Sequence, residues 1–305
     1  MEYIMTTEGL TKTYGKKDAA KDVNIHIRPG EIYGLIGRNG AGKTTVMRML
    51  SGLSNPTKGS FTMFGKAGAE ALKEMRNVGV LIEHPGLYPN LSAYKNLKVK
   101  AMAMGCDTKD NYLEELLELV GLENTDNKSA GSFSLGMRQR LGIALALIGD
   151  PKLIILDEPI NGLDPQGIVE VRQMLAKLRD EKGITIMISS HILDELGKLA
   201  NSYGIIHEGE LIDEFTTEEL HKRCGQYIMV NTDDNDAAIK ELKKQGFKEV
   251  EIDNDGMLRI SERLDDVKFV VKTLVSANLV PTHVSVSDIS LEDYYLSVTG
   301  GKHNG

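Results

Sequence analysis

The sequence GRNGAGKTT, residues 37–45, limits what this chain can fold into more than any other stretch. It fits the pattern G-x-x-x-x-G-K-[ST], in which glycines let the backbone wrap a phosphate and a lysine reaches the β- and γ-phosphates. The apolar residues 31–36 before it predict a buried strand, and residues 45–50 after it predict a helix. Strand, loop and helix in this order are the context that the pattern requires. The stretch therefore predicts a nucleoside triphosphate site, with Lys43 on the phosphates and the Thr44 hydroxyl on Mg²⁺.

The predicted phosphate-binding residues are Gly37, Asn39, Gly40, Ala41, Gly42, Lys43, Thr44 and Thr45.

A second apolar run, residues 152–158, ends in two adjacent carboxylates, Asp157 and Glu158. At the end of a strand, Asp157 can hold Mg²⁺ through its water shell, and Glu158 can polarise an attacking water. The alternative is that the two acids only solvate the end of the strand. Because a phosphate loop precedes them in the same chain, the metal and water roles are favoured.

Apolar spacing predicts further strands and helices around these two motifs. Strands are predicted at residues 2–8, 22–28, 60–64, 77–83 and 185–189. Helices are predicted at residues 93–104, 109–120 and 165–181, with another after residue 136. Strands and helices that alternate around continuous apolar strands indicate a parallel sheet covered on both faces.

The character of the sequence changes around residues 215–225. Strands are predicted at residues 226–230, 249–253, 257–261 and 282–286, and helices at residues 235–245, 265–277 and 291–296. Without the last helix this order is βαββαβ, the split arrangement of a small α+β domain. We therefore predict two domains, residues 1–217 and 218–305.

Composition excludes some classes of function. The net charge of −8 and the pI of about 5.5 argue against broad nucleic-acid binding. No stretch approaches the roughly 20 apolar residues of a membrane span, and the N-terminus has no signal-peptide pattern. The two cysteines, Cys106 and Cys224, show no metal-binding spacing and suit a reducing cytosol.

The sequence SLGMRQR, residues 134–140, opens a predicted helix with a small hydroxyl residue and a glycine. These residues suit an anion at a helix N-terminus, although Ser134 alone fits an ordinary helix N-cap equally well. GLDP follows at residues 162–165 and SSH at residues 189–191. Together with the phosphate loop and the acidic strand, this order of motifs resembles the nucleotide-binding subunit of an ATP-binding-cassette (ABC) transporter.

The resemblance covers residues 2–215. It implies the α/β fold of a P-loop NTPase of the ABC type, in which a parallel core sheet carries an antiparallel β subdomain and a helical subdomain. The small ferredoxin-like α+β domain would follow it. The implied activity is ATP hydrolysis coupled to transport, with ATP and Mg²⁺ as cofactors.

The resemblance also assigns roles position by position. Tyr14 matches the aromatic residue that stacks on adenine, and residues 153–157 match the Walker B strand. Glu158 matches the glutamate that activates water, His191 matches the switch histidine that contacts the γ-phosphate, and Asp164 falls in the D-loop. A packed aromatic and a hydrogen-bonded core histidine are the alternative interpretations of Tyr14 and His191.

The signature LSGGQ of the family aligns with residues 133–137, FSLGM, where Ser134 and Gly136 match and the other three residues depart. In the family the signature and the phosphate loop lie at opposite ends of a subunit. Ser134 and Gly136 are therefore expected to complete the ATP site of another copy. The resemblance thus implies a homodimer with two ATP molecules at its interface.

One further departure has chemical consequences. Glu83, within VLIEHP at residues 80–85, stands where the family has its Q-loop glutamine. A carboxylate still offers oxygens to Mg²⁺, but its charge near the γ-phosphate should oppose binding unless Mg²⁺ or a proton compensates. Two stretches resemble the subgroup that exports or expels peptide antibiotics, of the bacitracin-resistance and lantibiotic self-protection kind. They are Glu83 with the following HPGLYP, and ISLEDYYL at residues 289–296.

The resemblance finally implies a partner. Without a span of its own, the subunit would drive one or more separate integral-membrane permease chains, which would contact the groove near Glu83. It would lie in the cytoplasm as a peripheral protein at the inner face of the cell membrane. No nucleic-acid partner is expected.

Two other functions are alternatives to transport. A soluble ABC ATPase acting on ribosomes or DNA would carry two cassettes or a long coiled coil between its motifs, and neither is seen in this sequence. A regulator that uses ATP only as a dimerisation signal would not need Asp157, Glu158 and His191. The C-terminal domain fits either a dimer-stabilising appendage or a regulatory module.

Overall fold

The computed structural model describes residues 2–300 apart from 107, 109, 126, 225, 254–255 and 289–290. The chain divides into two units, with the boundary in the sequence between Thr216 and Thr217. Parts of several predictions lie outside the described residues: residue 109 of one helix, residues 289–290 of ISLEDYYL, the side chain of Cys224, and the domain ends at residues 1 and 301–305.

The strands are β1 Met5–Tyr14, β2 Lys17–Val23, β3 His26–Ile27, β4 Ile32–Ile36, β5 Lys58–Met63, β6 Lys66–Ala67, β7 Val78–Leu81, β8 Leu153–Asp157, β9 Thr185–Ser190, β10 Ser202–His207, β11 Glu210–Thr216, β12 Gln226–Thr232, β13 Val250–Ile252, β14 Leu258–Ile260 and β15 Pro281–Asp288.

The α-helices are α1 Lys43–Leu50, α2 Gly68–Lys73, α3 Ala93–Met104, α4 Asp110–Leu119, α5 Leu135–Leu147, α6 Pro165–Lys182, α7 Leu193–Gly197, α8 Thr217–Cys224, α9 Asn235–Lys244, α10 Val267–Ser276 and α11 Leu291–Thr299. Short 3₁₀ helices lie at Glu74–Asn77, Glu123–Thr125, Ala130–Ser132 and Leu264–Asp266. Within the described residues, none of these helices is long and apolar enough to cross a membrane.

A six-stranded sheet lies at the centre of the first unit, in the order β11–β10–β4–β9–β8–β7. Its neighbouring strands run parallel except for β10 and β11, which are antiparallel. Every residue of β4, β8 and β9 is buried. Strands that are covered on both faces read as continuous apolar runs, which is why the sequence predicts them well. The predicted parallel core sheet is confirmed.

An antiparallel sheet contains β1, β2, β3, β5 and β6. The strand predicted at residues 2–8 corresponds to β1, but its predicted end at residue 8 is wrong. β1 continues to Tyr14, and the chain then turns back directly into β2. Tyr14 lies opposite Lys17 across this hairpin, and Gly15 between them has φ 61°, which a glycine adopts without steric cost. The predicted strand at residues 22–28 is likewise divided between β2 and β3.

The helical part of the first unit contains α3, α4 and α5, which pack against one another. Residues 93–104 form α3 as predicted. Serine N-caps begin two of these helices: the Ser92 hydroxyl accepts from the Lys95 N–H at 3.4 Å, and the Ser134 hydroxyl accepts from the Met137 N–H at 3.2 Å. Such caps satisfy N–H groups that have no partner inside the helix.

Strands β10 and β11 are absent from the sequence prediction. β10 pairs in parallel with β4, and β11 covers the edge of the sheet in antiparallel pairing. A tight turn through Glu208 and Gly209, with φ 48° and 89°, joins them. The apolar part of β10 is short and contains a glycine, and such a segment gives a weak strand signal.

The second unit has a four-stranded antiparallel sheet in the order β13–β14–β12–β15. This is the split arrangement predicted from the βαββαβ order. The helix predicted at residues 265–277 begins as a 3₁₀ turn and becomes α10 at Val267, and α11 ends at Thr299 rather than at residue 296. The unit has a core of its own, formed by Ile228, Val230, Ala238, Leu242, Phe247, Val250, Leu258, Ile260, Val270 and Leu274.

Candidate functional site

The register of the parallel strands brings most predicted site residues to one edge of the central sheet. Ile36 at the end of β4 lies opposite Ser190 at the end of β9. Leu81 at the end of β7 lies opposite Leu156, next to the end of β8. Open parallel sheets bind ligands outside the carboxyl ends of their strands. The phosphate loop and the motifs that follow β7, β8 and β9 are therefore grouped at this edge.

The phosphate loop needs glycine at positions where the backbone passes close to its neighbours. A Cβ on Gly37 would lie 2.5 Å from the Ile206 carbonyl oxygen, and a Cβ on Gly42 would lie 2.5 Å from that of Ala19. Gly42 also has φ 113° and precedes α1 without a side-chain cap, and the first turn of α1 holds no acid. The uncapped N–H groups and the positive end of the helix dipole are thus available to an anion.

Lys43 is buried, with 5% of its surface exposed. Its Nζ donates a hydrogen bond to the Gly37 carbonyl oxygen at 2.6 Å and lies 3.1 Å from Glu158 Oε1. A buried ammonium group is costly unless it is paired and hydrogen-bonded, and both partners are present. The structure thus brings together Lys43 and Glu158, which the sequence assigned to separate motifs.

Asp157 is held by two hydroxyl groups. Thr44 Oγ1 donates to Asp157 Oδ2 at 2.8 Å, and Ser189 Oγ donates to Asp157 Oδ1 at 2.5 Å. Thr44 and Asp157, which were predicted to hold Mg²⁺ from separate motifs, are therefore in direct contact. Sequence reasoning did not identify Ser189 as a site residue, because its contact depends on the pairing of β8 with β9.

Glu158 and His191 are in direct contact. Glu158 Oε2 lies 2.8 Å from His191 Nδ1, and the Glu158 N–H donates to Ser189 Oγ at 2.9 Å. The backbone of Glu158 is in the left-handed region, with φ 48°. A residue other than glycine is uncommon there, and such strain is concentrated at functional sites.

A cavity of about 630 Å³ opens over the loop. Its lining comprises the predicted residues Tyr14, Asn39, Gly40, Ala41, Gly42, Lys43, Thr44, Thr45 and Glu158, together with Lys17, Asp18, Ala19, Arg38, Glu208 and Gly209. Lys17, Asp18, Ala19, Glu208 and Gly209 were not predicted as site residues. Arg38 lies within the predicted loop but was not assigned a role. Residues 17–19 and 208–209 carry no motif, and they reach the cavity only through the β1–β2 hairpin and the β10–β11 turn.

Tyr14 lies at the rim of this cavity and is 51% exposed. Its ring centroid is 5.3 Å from Lys12 Nζ. The alternative interpretation of Tyr14 as a packed core aromatic is therefore wrong. An exposed ring beside a cavity is free to stack on a flat ligand.

Ser134 and Gly136 are not among the described residues that line this cavity. Ser134 is exposed at the start of α5. Leu135 Cδ2 lies 3.2 Å from the Cβ position of Gly162, and Asp164 caps α6 by accepting from the Gly167 N–H at 3.2 Å. The predicted signature residues thus lie beside the predicted D-loop, away from the cavity.

Glu83 follows β7 and has φ 63°. Its Oε1 lies 3.0 Å from Nη2 of Arg48, a residue of α1 that no motif singled out. The sequence predicted that Mg²⁺ or a proton would compensate the Glu83 charge and did not predict this arginine.

A parallel sheet, a glycine-rich loop that leads into a helix, a buried lysine and a Thr–Asp pair together define a P-loop nucleotide-binding protein. Comparison with known proteins identifies its family. The family described as ABC transporter matches residues 20–161. The chain is 43% identical over 304 residues, 99% of each chain, to the bacitracin transport ATP-binding protein BcrA of Bacillus licheniformis. It is 47% identical over 211 residues, 69% of this chain and 90% of the relative, to the lantibiotic transport ATP-binding protein SrtF of Streptococcus pyogenes.

Solved structures agree with this result. A subunit of an ABC transporter complex from Clostridium perfringens, cbiO1, superposes with a TM-score of 0.65 at 28% identity, over 73% of this chain and 92% of that chain. An ATP-binding cassette solved as a dimer with ADP and Pi superposes with a TM-score of 0.63 at 25% identity, over 70% and 98%. The chain belongs to the ATP-binding proteins of ABC transporters, which bind and hydrolyse ATP.

Proposed function

We propose that this chain is the ATP-hydrolysing subunit of a transporter that exports or expels a peptide antibiotic of the bacitracin or lantibiotic kind. The main support is its similarity to a bacitracin transport protein over 99% of both chains, which includes the second unit. Glu83 and the following HPGLYP add to it. A role outside transport is not favoured, because the relatives above are named as transport proteins.

Mg²⁺ fits the residues present at the phosphate loop. Thr44 Oγ1 and Asp157 Oδ2, 2.8 Å apart, are the hard oxygen donors that this ion takes, and Glu83 offers a second carboxylate at the same edge. Ser189 orients Asp157 through its other oxygen. When bound, Mg²⁺ would neutralise charge on the phosphate oxygens.

Glu158 is the proposed general base. In this role its carboxylate takes a proton from the attacking water. The 2.8 Å contact with His191 Nδ1 orients the carboxylate, and the 3.1 Å contact with Lys43 holds it beside the phosphate loop. Lys43 would then bind the β- and γ-phosphates, and His191 would contact the γ-phosphate.

The Glu158→Gln variant tests this assignment. It should bind ATP as the wild type does but lose at least about a hundredfold in steady-state ATPase, because general base catalysis contributes roughly 10²–10⁴-fold. Glu181→Gln, an exposed acid of α6, is the matched control and should retain full turnover. Unchanged ATPase in Glu158→Gln would remove Glu158 from the role of base.

We also propose that two copies of the chain form the working unit. Ser134 and Gly136 do not line the cavity of their own subunit among the described residues, and a relative is described as a dimer with ADP and Pi. In a homodimer Ser134 and Gly136 would complete the site of the partner copy. ATP-dependent dimerisation of the Glu158→Gln variant, measured by light scattering, tests this arrangement.

A separate permease is the proposed membrane partner, which would place the subunit in the cytoplasm at the inner face of the cell membrane. The proposed contact is a groove of about 580 Å³ next to Glu83. Leu81, His84, Pro85 and Val99 contribute to its lining and mix apolar and polar surface. Co-purification with a membrane protein, followed by ATPase stimulated by the antibiotic, would support the assignment. Stimulation by unrelated substrates only would contradict it.

A further inference from the structure

An ion pair joins the phosphate-loop helix to the loop after β7. Arg48 Nη2 lies 3.0 Å from Glu83 Oε1. Arg48 comes four residues after Thr44 in α1, so both side chains project from the same face of that helix. Thr44 hydrogen-bonds Asp157. The arginine therefore holds the Glu83 carboxylate on the side of α1 that faces the proposed Mg²⁺ ligands.

The backbone at Glu83 also depends on its surroundings. With φ 63° the residue is in the left-handed region, where a side chain other than glycine is uncommon. Such a conformation persists only where the surrounding structure determines it. The contact with Arg48 is one interaction that ties this residue to the rest of the unit.

The pair is too exposed to be explained by stability alone. The Arg48 side chain is 43% exposed and that of Glu83 is 55% exposed. Exposed ion pairs contribute little to the free energy of folding. They do change the potential that an approaching anion meets, because an unpaired carboxylate repels a triphosphate and a paired one does so far less.

We infer that Arg48 is a positioning residue for Glu83, which holds this carboxylate beside the metal edge and cancels its charge toward the nucleotide. The arginine thus allows an acid to occupy this position without weakening ATP binding. The inference rests on the proposed roles of Lys43, Thr44 and Asp157 at the phosphates and metal.

A double-mutant cycle in the full chain tests the inference. The affinity for ATP is measured by calorimetric titration for the wild type, Arg48→Met, Glu83→Gln and the double variant, with Mg²⁺ and with EDTA. Arg48→Met should weaken ATP binding on the order of three- to tenfold while Glu83 is present, because one unscreened negative charge then faces the phosphates. The same change in the Glu83→Gln background should have no effect. The loss should be larger in EDTA, because Mg²⁺ also screens Glu83.

Controls separate this role from folding. Arg48→Lys retains the charge and should bind ATP within about twofold of the wild type. Lys177→Met removes one exposed positive charge near the end of α6, which leads into the opposite end of β9, and should leave the affinity unchanged. Thermal unfolding midpoints of all variants should agree.

An equal loss in both backgrounds would show that Arg48 acts on the phosphates or on the fold rather than through Glu83, and would overturn the inference. No loss in either background, or a loss that is the same with Mg²⁺ and with EDTA, would also overturn it. If Glu158→Gln loses turnover and Lys43→Ala loses ATP binding while Arg48→Met is neutral, the proposed function stands and only the role of Arg48 fails.

Discussion

Three functional side chains at the phosphate loop form a chain of contacts: Lys43, Glu158 and His191. Lys43 is buried between a loop carbonyl oxygen and Glu158. Glu158 in turn contacts His191. Because these three groups share contacts, their individual contributions to catalysis are not expected to be additive.

The Lys43→Ala variant is expected to lose ATP binding. The ammonium group is the cation that the loop places on the β- and γ-phosphates, and alanine leaves Glu158 without its contact to Lys43. Titration with a fluorescent ATP analogue checks the result, with Lys198→Ala as the exposed lysine control. A wild-type titration curve for Lys43→Ala would mean that the phosphate-loop interpretation is wrong.

The Glu83→Gln variant is expected to preserve ATPase activity or to raise it by up to about threefold. The amide keeps an oxygen for Mg²⁺ and removes a negative charge near the γ-phosphate. The gain should be small, because Arg48 already pairs with this carboxylate. Steady-state ATPase against ATP concentration is the measurement. A drop of more than about tenfold would show that the carboxylate itself is required as a metal ligand.

Residues within contiguous motifs could be predicted from the sequence, whereas their tertiary partners could not. Lys43, Thr44 and Asp157 follow from short patterns with a stated chemistry. Ser189 and Arg48 reach the site only through strand register and helix packing. A serine at the end of a strand and an arginine in a helix carry no signal that would distinguish them in advance.

At the scale of elements, α5 combines a folding role and a proposed functional one in a single serine. The Ser134 hydroxyl caps the helix by accepting from the Met137 N–H, and Ser134 is also the proposed signature residue. An N-cap serine is worth about 1 kcal/mol, and aspartate caps as well as serine does. Two substitutions can therefore separate the roles.

Ser134→Ala is expected to lower the free energy of unfolding by about 1 kcal/mol, whereas Ser134→Asp should retain it. Both variants should lose ATPase activity, because neither retains the neutral hydroxyl proposed to meet the phosphate of the partner copy. Ser92→Ala removes the cap of α3 and should lower stability without loss of ATPase. Chemical denaturation and steady-state ATPase are the measurements. Full activity in Ser134→Asp would reduce Ser134 to an N-cap.

Glu31, next to the start of β4, gives a prediction about pH. Burial raises the pKa of the Glu31 carboxyl, although the hydrogen bond from the Arg28 N–H partly opposes this. The unfolded chain therefore releases this proton first as the pH rises. Stability should fall from pH 4.5, the ordinary value, up to the raised pKa of the folded state, and this contribution should stay constant above it.

The Glu31→Gln variant is therefore expected to gain stability relative to the wild type as the pH rises from 4 to 7. The gain should be about 1.4 kcal/mol for each unit by which folding raises the pKa. Urea denaturation at each pH is the measurement, and Glu8→Gln, an exposed acid of β1, is the control. A difference that does not change with pH would contradict the prediction.

The elements themselves differ in how well the sequence predicted them. β4, β8 and β9 are continuous apolar runs because both faces of the sheet are covered, and they were predicted. β2 and β11 are mostly exposed or half-buried and contain many polar residues, so they lack a continuous apolar run. Such edge strands are defined by tertiary contacts more than by local pattern.

At the scale of the whole molecule, the two units have separate cores and separate sheets. All the described residues that line the nucleotide cavity lie between Tyr14 and Gly209, within the first unit. The lantibiotic transport relative matches over 211 residues that make up 90% of its own length. A chain of that length has little room for a second unit of this size, so the second unit is not required for membership of the family.

A protein truncated after Thr216 is therefore expected to fold and to bind ATP within about threefold of the full chain, a difference of less than 1 kcal/mol. Calorimetric titration and thermal unfolding are the measurements, and the truncated Lys43→Ala variant is the control for specific binding. Loss of ATP binding would mean that the second unit supports the nucleotide site.

Light scattering of the truncated Glu158→Gln variant then distinguishes the two roles proposed for the second unit. Loss of the ATP-dependent dimer would identify a dimer-stabilising appendage, whereas an intact dimer with altered ATPase in the presence of the permease would identify a regulatory module.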